Sequence, residues 1–142
     1  MWQTIDLNNY ADRYLIDNQL VKYNLSAWLG GYTNQNDNVV VSLLFQDQFN
    51  QTIGNGTQIG PVFAIDRGNK TSLLFRQTNG LIPIGAYTII VVVRISFTTG
   101  NRNNGDLVPS GAYSLGVWVR IVVLSGPYNN GDVDNSNIFL YS

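Results

Sequence analysis

A direct repeat in the second half of the chain is the feature that most limits its possible folds. Residues 83–108 and 109–134 align without a gap, and about half of the aligned positions are identical. Each copy has a Pro-x-Gly-Ala-Tyr start, a run rich in valine and isoleucine, and an Asn-Asn-Gly-Asp sequence near its end. β-Branched runs favour strands, and glycine and asparagine favour turns. Because the period is short and occurs twice, we expect a duplicated strand–loop unit within one sheet domain and not a solenoid. The extra copy is expected to widen a sheet or to change its edge.

Alternation along the two repeated runs predicts which face of each strand is buried. Successive side chains of a strand point to opposite faces. One face is apolar throughout and is predicted to face the core: Val91, Val93, Ile95 and Phe97 in the first copy, and Val117, Val119, Ile121 and Val123 in the second. The other face is mixed, with Arg94 in the first copy and Trp118 and Arg120 in the second.

Strand and turn signals recur at short intervals along the rest of the chain, without a sustained helical period. A short helical turn is predicted within 8–16 and a turn-rich stretch over 50–58. Strands are predicted over 21–29, 39–47, 60–65, 73–78 and 137–141. This spacing predicts an all-β fold, an antiparallel β-sandwich of the jelly-roll type that forms a single domain over residues 1–142.

The composition excludes several classes of function. The chain has no cysteine and no histidine, so disulfides, thiolate chemistry, a Ser-His-Asp triad and imidazole metal ligands are ruled out. A net charge of −1 with 12% charged residues leaves no basic surface for nucleic acid. No run is long and apolar enough to insert into a membrane, and Met1 is not followed by a signal peptide. We therefore expect a soluble protein, cytosolic or trimmed after secretion, and the compartment is left open.

Three stretches together resemble a known group of proteins. They are YNLSAWLGGY at 23–32 with DN at 37–38, GPV at 60–62 with DRGN at 66–69, and IPIG at 82–85 with YNNG at 128–131. This pattern is similar to the galactose-binding-domain-like jelly rolls related to the sugar-binding domain of glycoprotein-recognising F-box proteins and to bacterial carbohydrate-binding modules. The resemblance implies that fold and a glycan or glycoprotein as partner.

Four polar loops hold most of the residue types that recognise sugars. Planar amides, carboxylates and guanidinium groups hydrogen-bond to hydroxyls, and aromatic rings stack on the apolar face of a pyranose. The predicted ligand-binding residues are Tyr32, Asn34, Asn36, Arg67, Asn103, Asn104, Asp106, Trp118, Tyr128, Asn129, Asn130 and Asp132. Ordinary turn chemistry is the alternative for the loops, and packing is the alternative for Trp118. Trp28 is assigned to packing, and Arg67 has the further alternative of clamping a carboxylate such as Asp134.

The same loops offer oxygen ligands for calcium, although the predicted function requires no cofactor. Asp132 and Asp134 lie close together in the sequence, and Asp37 could add a third carboxylate from another loop. Calcium takes such hard oxygen ligands. Loop bracing by these aspartates is the alternative.

Two functions remain open. The first is a non-catalytic lectin or carbohydrate-binding module, made multivalent by assembly into a homo-oligomer. The second is a structural or assembly protein, such as an adhesive, coat or oligomer subunit, which uses the same fold without sugar binding. A glycosidase needs two placed carboxylates, and no aspartate pair here lies in a recognisable catalytic setting. The sequence therefore predicts that the protein is not an enzyme.

Overall fold

Strands form most of the protein. The computed structural model describes residues 2–34, 36–96, 112–123 and 133–138, and at 112–118, 122–123 and 133–138 it describes the backbone alone. The strands are β1 (Trp2–Asp6), β2 (Val21–Gly31), β3 (Asn38–Gln46), β4 (Thr52–Ile59), β5 (Ser72–Leu81), β6 (Thr88–Ser96), β7 (Ala112–Val123) and β8 (Val133–Ile138). One helix, α1 (Arg13–Asp17), precedes β2, and 3₁₀ turns occupy Leu7–Asn9 and Ile65–Arg67.

The strands form two antiparallel sheets that pack face to face. Sheet A has the order β1-β6-β3-β4, and sheet B has the order β5-β2-β7-β8. Alternate residues of the inner strands fill one core, where the rings of Tyr23 (β2) and Phe45 (β3) lie 5.3 Å apart. The prediction of an all-β antiparallel sandwich is confirmed. Its finer assignment to a galactose-binding-domain-like jelly roll stays a prediction, as does a single domain over 1–142.

The two copies of the repeat contribute inner strands to different sheets. β6, from the first copy, lies between β1 and β3, whereas β7, from the second, lies between β2 and β8. The two copies are therefore not neighbours in one sheet, and the expectation that the extra copy widens a sheet or changes its edge stays a prediction. Both strands have one apolar face, and placing them in opposite sheets lets both apolar faces pack into the same core.

The predicted inward and outward faces of the repeated strands are largely confirmed. Val91, Val93, Val119 and Ile121 are buried, and the arginines at 94 and 120 are exposed. Ile95 is wrongly assigned to the core, because it lies next to the end of β6 and is 37% exposed. Phe97 lies outside the described residues, and so do the side chains of Val117 and Val123.

Three predicted boundaries differ from the structure. The stretch 50–58 was predicted as turn-rich, but residues 52–58 belong to β4 (Thr52–Ile59). This is an edge strand whose mostly exposed side chains need no apolar alternation. Gly56 fits this strand because a Cβ there would lie 2.9 Å from the Leu43 carbonyl oxygen. Residues 60–65 are not a strand and lead into the 3₁₀ turn. Of the strand predicted over 137–141, residues 137–138 belong to β8, which begins at Val133, and residues 139–141 lie outside the described residues. β1 was not predicted.

Helix α1 is fastened to the turn that precedes β6. Within α1, the Arg13 guanidinium donates to both carboxylate oxygens of Asp17, over 2.9 and 3.3 Å. Asp17 Oδ1 also accepts from the Gly85 backbone N–H at 3.1 Å, and the Arg13 guanidinium carbon lies 3.9 Å from the centroid of the Tyr87 ring. The helix and the turn therefore share one small polar contact.

Among the described residues, no helix is long and apolar enough to cross a membrane.

The contact between α1 and the turn gives a testable pH dependence. The hydrogen bond from Arg13, helped by the Gly85 N–H, lowers the pKa of Asp17 although burial opposes it. A lowered folded-state pKa stabilises the protein above the pKa of the unfolded chain, and this contribution is lost as the pH falls through the folded value. Because the pair is exposed, we expect Asp17→Asn to lower the free energy of unfolding at pH 7 by less than about 1 kcal/mol. Urea unfolding should show no difference near pH 2, and an equal difference at both pH values would contradict this account.

Candidate functional site

A shallow cavity lies at the end of the sandwich where β2 ends. Its volume is about 490 Å³, and its lining comes from the segment after β2 and from the segment before β5. The lining residues are Asn34, Asn36, Phe63, Ala64, Ile65 and Asn69. We call it the loop-end cavity. None of these side chains is charged, three are primary amides, and Phe63 and Ile65 are 39% and 80% exposed.

Arg67 holds the two segments together from beneath. Its side chain is 5% exposed. Its Nη1 donates to the carbonyl oxygens of Gly31 at 2.8 Å, Thr33 at 3.0 Å and Lys70 at 2.5 Å. Nη1 has two hydrogens, so the three carbonyl oxygens share them, and a buried charge requires such partners. The end of β2 and the start of β5 are thus linked through one side chain.

Local turn chemistry places the second segment. The 3₁₀ turn Ile65–Arg67 is preceded by Phe63, whose N–H donates to Asp66 Oδ2 at 2.9 Å. The turn ends at Gly68, with a φ of 64°, and Asn69 follows with a φ of 59°. Glycine and asparagine adopt this left-handed conformation most readily. The sequence DRGN therefore forms a compact turn that presents Phe63 and Ile65 outward.

Two hydrogen bonds join the segments across the cavity. Asn36 Oδ1 accepts from the Ala64 N–H at 3.0 Å, and the Thr33 N–H donates to Thr71 Oγ1 at 3.0 Å. Because its Oδ1 is engaged, Asn36 offers its amide nitrogen as the group that can donate to a ligand. Among the lining residues that the structure describes, the arrangement combines amide donors and acceptors with one aromatic ring and no charged group.

The structure brings together part of the predicted site. Asn34 and Asn36 line the cavity, and Tyr32, which is 50% exposed, lies two residues before Asn34. Arg67 lies below the cavity and binds backbone carbonyls, so it builds the site instead of lining it. Trp118 pairs with Ser26, five residues before the end of β2, which places it about 17 Å from that end. The remaining predicted ligand residues lie outside the described ranges: Asn103, Asn104, Asp106, Tyr128, Asn129, Asn130 and Asp132.

Sequence reasoning missed Ala64 and three larger lining residues of the cavity. Phe63 and Ile65 were assigned to a strand, and Asn69 was placed in a loop without a ligand role. The signal that could have found them is Gly60-Pro61 before the segment and Gly68-Asn69 after it, because glycine and proline mark turns. Trp28 was assigned to packing, but it is 41% exposed and its ring lies 5.4 Å from that of Phe75.

The predicted calcium ligands do not form a described cluster. Asp37 is buried, and Asp134 lies in β8, where the structure describes the backbone alone. Asp132 lies outside the described residues. Within the part of the chain that the structure describes, no three acidic side chains are grouped in a way that could hold a metal ion. Calcium binding by Asp37, Asp132 and Asp134 stays a prediction.

Comparison with solved structures found a similar protein, whereas two other comparisons found no match. No protein-family model matches the chain, and a search of curated proteins also found no match. The chain is similar to the crystal structure of the enzymatically active domain of tailspike protein 4 from bacteriophage CBA120, with a TM-score of 0.48 and 16% sequence identity. The similarity covers 96% of this chain, which spans 13% of that one.

This comparison corrects the prediction that the protein is not an enzyme. The similar structure is described as an enzymatically active domain. The exclusion of catalysis is withdrawn. A similarity at this level transfers no residue role and no activity.

Proposed function

We propose that the protein binds carbohydrate in the loop-end cavity, as a lectin or carbohydrate-binding module does. The observation that carries the proposal is the lining itself, because the described lining residues combine three amides with a partly exposed phenylalanine and none of them is charged. Neutral sugars have one apolar ring face and a rim of hydroxyls. Stacking on Phe63 and hydrogen bonds to Asn34, Asn36 and Asn69 suit these two features.

The scaffold beneath the cavity supports this function energetically. Binding is weakened by the entropy lost when loops become ordered, and loops that are already fixed avoid that loss. Here the hydrogen bonds of Arg67, Asn36 and Asp66 hold both segments before any ligand arrives. A shallow cavity still makes few contacts, so we expect weak binding by one site and stronger binding by a homo-oligomer that presents several sites. The assembly function without sugar binding stays a prediction.

A glycan array followed by titration of the best glycan tests the proposal. We expect Phe63→Ala to weaken binding about tenfold, because it removes an aromatic contact of about 1.4 kcal/mol. Asn34→Ala should weaken binding by severalfold without disturbing the Asn36–Ala64 contact. Phe49→Ala is the matched control, since Phe49 is 72% exposed and does not line the cavity.

The array is run with calcium and with EDTA. Binding in both conditions that is weakened by Phe63→Ala but not by Phe49→Ala supports the proposal. Binding that requires calcium would indicate that the predicted calcium ligands Asp37, Asp132 and Asp134 take part in binding. Absence of binding across a broad set of glycans, or equal effects of the two phenylalanine substitutions, would contradict it.

A further inference from the structure

A second cavity opens at the side of the sandwich, between the edge strands of the two sheets. Its volume is about 340 Å³, and it lies between β4 and β5. The lining residues are Gln58, Ile59, Gly60, Pro61, Arg76, Gln77 and Thr78. We call it the edge cleft. It shares no lining residue with the loop-end cavity, so the two sites can bind or fail independently.

The edge cleft contains a half-buried cation. Arg76 Nη1 donates to the Phe75 carbonyl oxygen at 3.1 Å. Among the carboxylates that the structure describes, none lies within 4.0 Å of the Arg76 guanidinium nitrogens. A guanidinium with reduced access to water gains from a bound anion, and a carboxylate fits its planar fork in a two-point contact. The cleft therefore favours an anionic ligand.

We propose that the edge cleft binds a sugar that carries a carboxylate, a hexuronic acid unit, with the carboxylate on Arg76. Thr78, two residues after Arg76 in β5, lies on the same face of the strand, and the lining also includes Gln58 and Gln77. The hydroxyl and the two amides can donate to and accept from sugar hydroxyls. The volume lies at the lower end of the range for small-molecule pockets, about 300–1,000 Å³, which suits a single sugar ring. The inference goes beyond the proposed function, because it assigns a different site and an acidic ligand.

An NMR titration with monosaccharides tests this inference. Galacturonate is added to the full chain, and the backbone amide signals of residues 58–60 and 76–78 are followed. Galactose is the neutral comparison, while acetate and N-acetylglutamate supply a carboxylate without a sugar ring. We expect galacturonate to shift these signals saturably and to bind at least fivefold more tightly than any of the other three. High salt should weaken its binding, because the contact includes an ion pair.

Matched variants assign the effect to one side chain. Arg76→Gln should weaken galacturonate binding about tenfold, and Arg76→Lys severalfold, since lysine keeps the charge but loses the planar fork. Arg94→Gln removes the same charge from an exposed position of β6 and should leave binding unchanged. Equal binding of acetate, N-acetylglutamate and galacturonate, or equal effects of the glutamine substitutions at positions 76 and 94, would overturn the inference. Binding of neutral glycans in the loop-end cavity is followed through the amide signals of other residues. A failure of the proposed function can therefore be distinguished from a failure of this inference.

Discussion

Replacing Arg67 by methionine is expected to lower the free energy of unfolding by about 3 kcal/mol. The substitution keeps an unbranched side chain but removes the donor of three hydrogen bonds to the carbonyl oxygens of Gly31, Thr33 and Lys70. Hydrogen bonds from a charged group contribute more than neutral ones, and a buried acceptor left without a donor loses about 1–3 kcal/mol. Urea unfolding measured by tryptophan fluorescence gives the difference.

The same variant should lose binding in the loop-end cavity, because Arg67 holds both segments that line it. Arg94→Met is the matched control, and at this exposed position we expect a change within about 0.5 kcal/mol. If Arg67→Met is as stable as Arg94→Met, the three carbonyl groups have other donors and the account of how the cavity is built is wrong.

Gly30→Ala is expected to have a similarly large effect, for a steric reason. Gly30 lies in β2 opposite Leu73 of β5, and a Cβ there would lie 1.9 Å from the Ser72 carbonyl oxygen and 2.9 Å from the Leu73 Cα. The close atoms belong to the backbone of β5, which cannot give way as a flexible side chain would, so β5 must shift away from β2. Overpacking of this kind lowers stability by about 1–3 kcal/mol, and we expect the upper end of that range.

Gly68→Ala separates this crowding from the general effect of losing a glycine. Gly68 has a φ of 64°, but a Cβ there would meet no atom within 4 Å. The left-handed conformation alone should lower stability by about 1 kcal/mol. Denaturation midpoints of both variants are compared under the same conditions. A Gly30→Ala protein that is no less stable than Gly68→Ala would show that β2 and β5 are farther apart than described here.

The strands whose sequences alternate between apolar and polar residues could be predicted. Val21, Tyr23 and Leu25 lie on the buried face of β2, and their spacing of two residues identifies that strand. β4 could not be found in this way, because it lies at a sheet edge and most of its side chains face solvent. The placement of the repeat could not be predicted either, since two strands with the same apolar alternation do not indicate which sheet each one joins.

The candidate site was predictable in its amides but not in its architecture. Asn34 and Asn36 were found because polar loops of this kind are where ligands bind. The role of Arg67 depends on carbonyl groups 36, 34 and 3 residues away in the sequence, and no local pattern reports such contacts. Phe63 looked like a strand residue because aromatic side chains favour strands, while its exposure depends on the turn around it.

Mapping the best array glycan onto the protein by NMR tests the central claim most directly. Backbone and asparagine side-chain amide signals are recorded while the glycan is added to the full chain. The account predicts saturable shifts concentrated at residues 33–36 and 63–69, including the side-chain amides of Asn34, Asn36 and Asn69. Shifts concentrated on another surface, such as the exposed pair of Trp28 and Phe75, would contradict the claim that the loop-end cavity is the carbohydrate site.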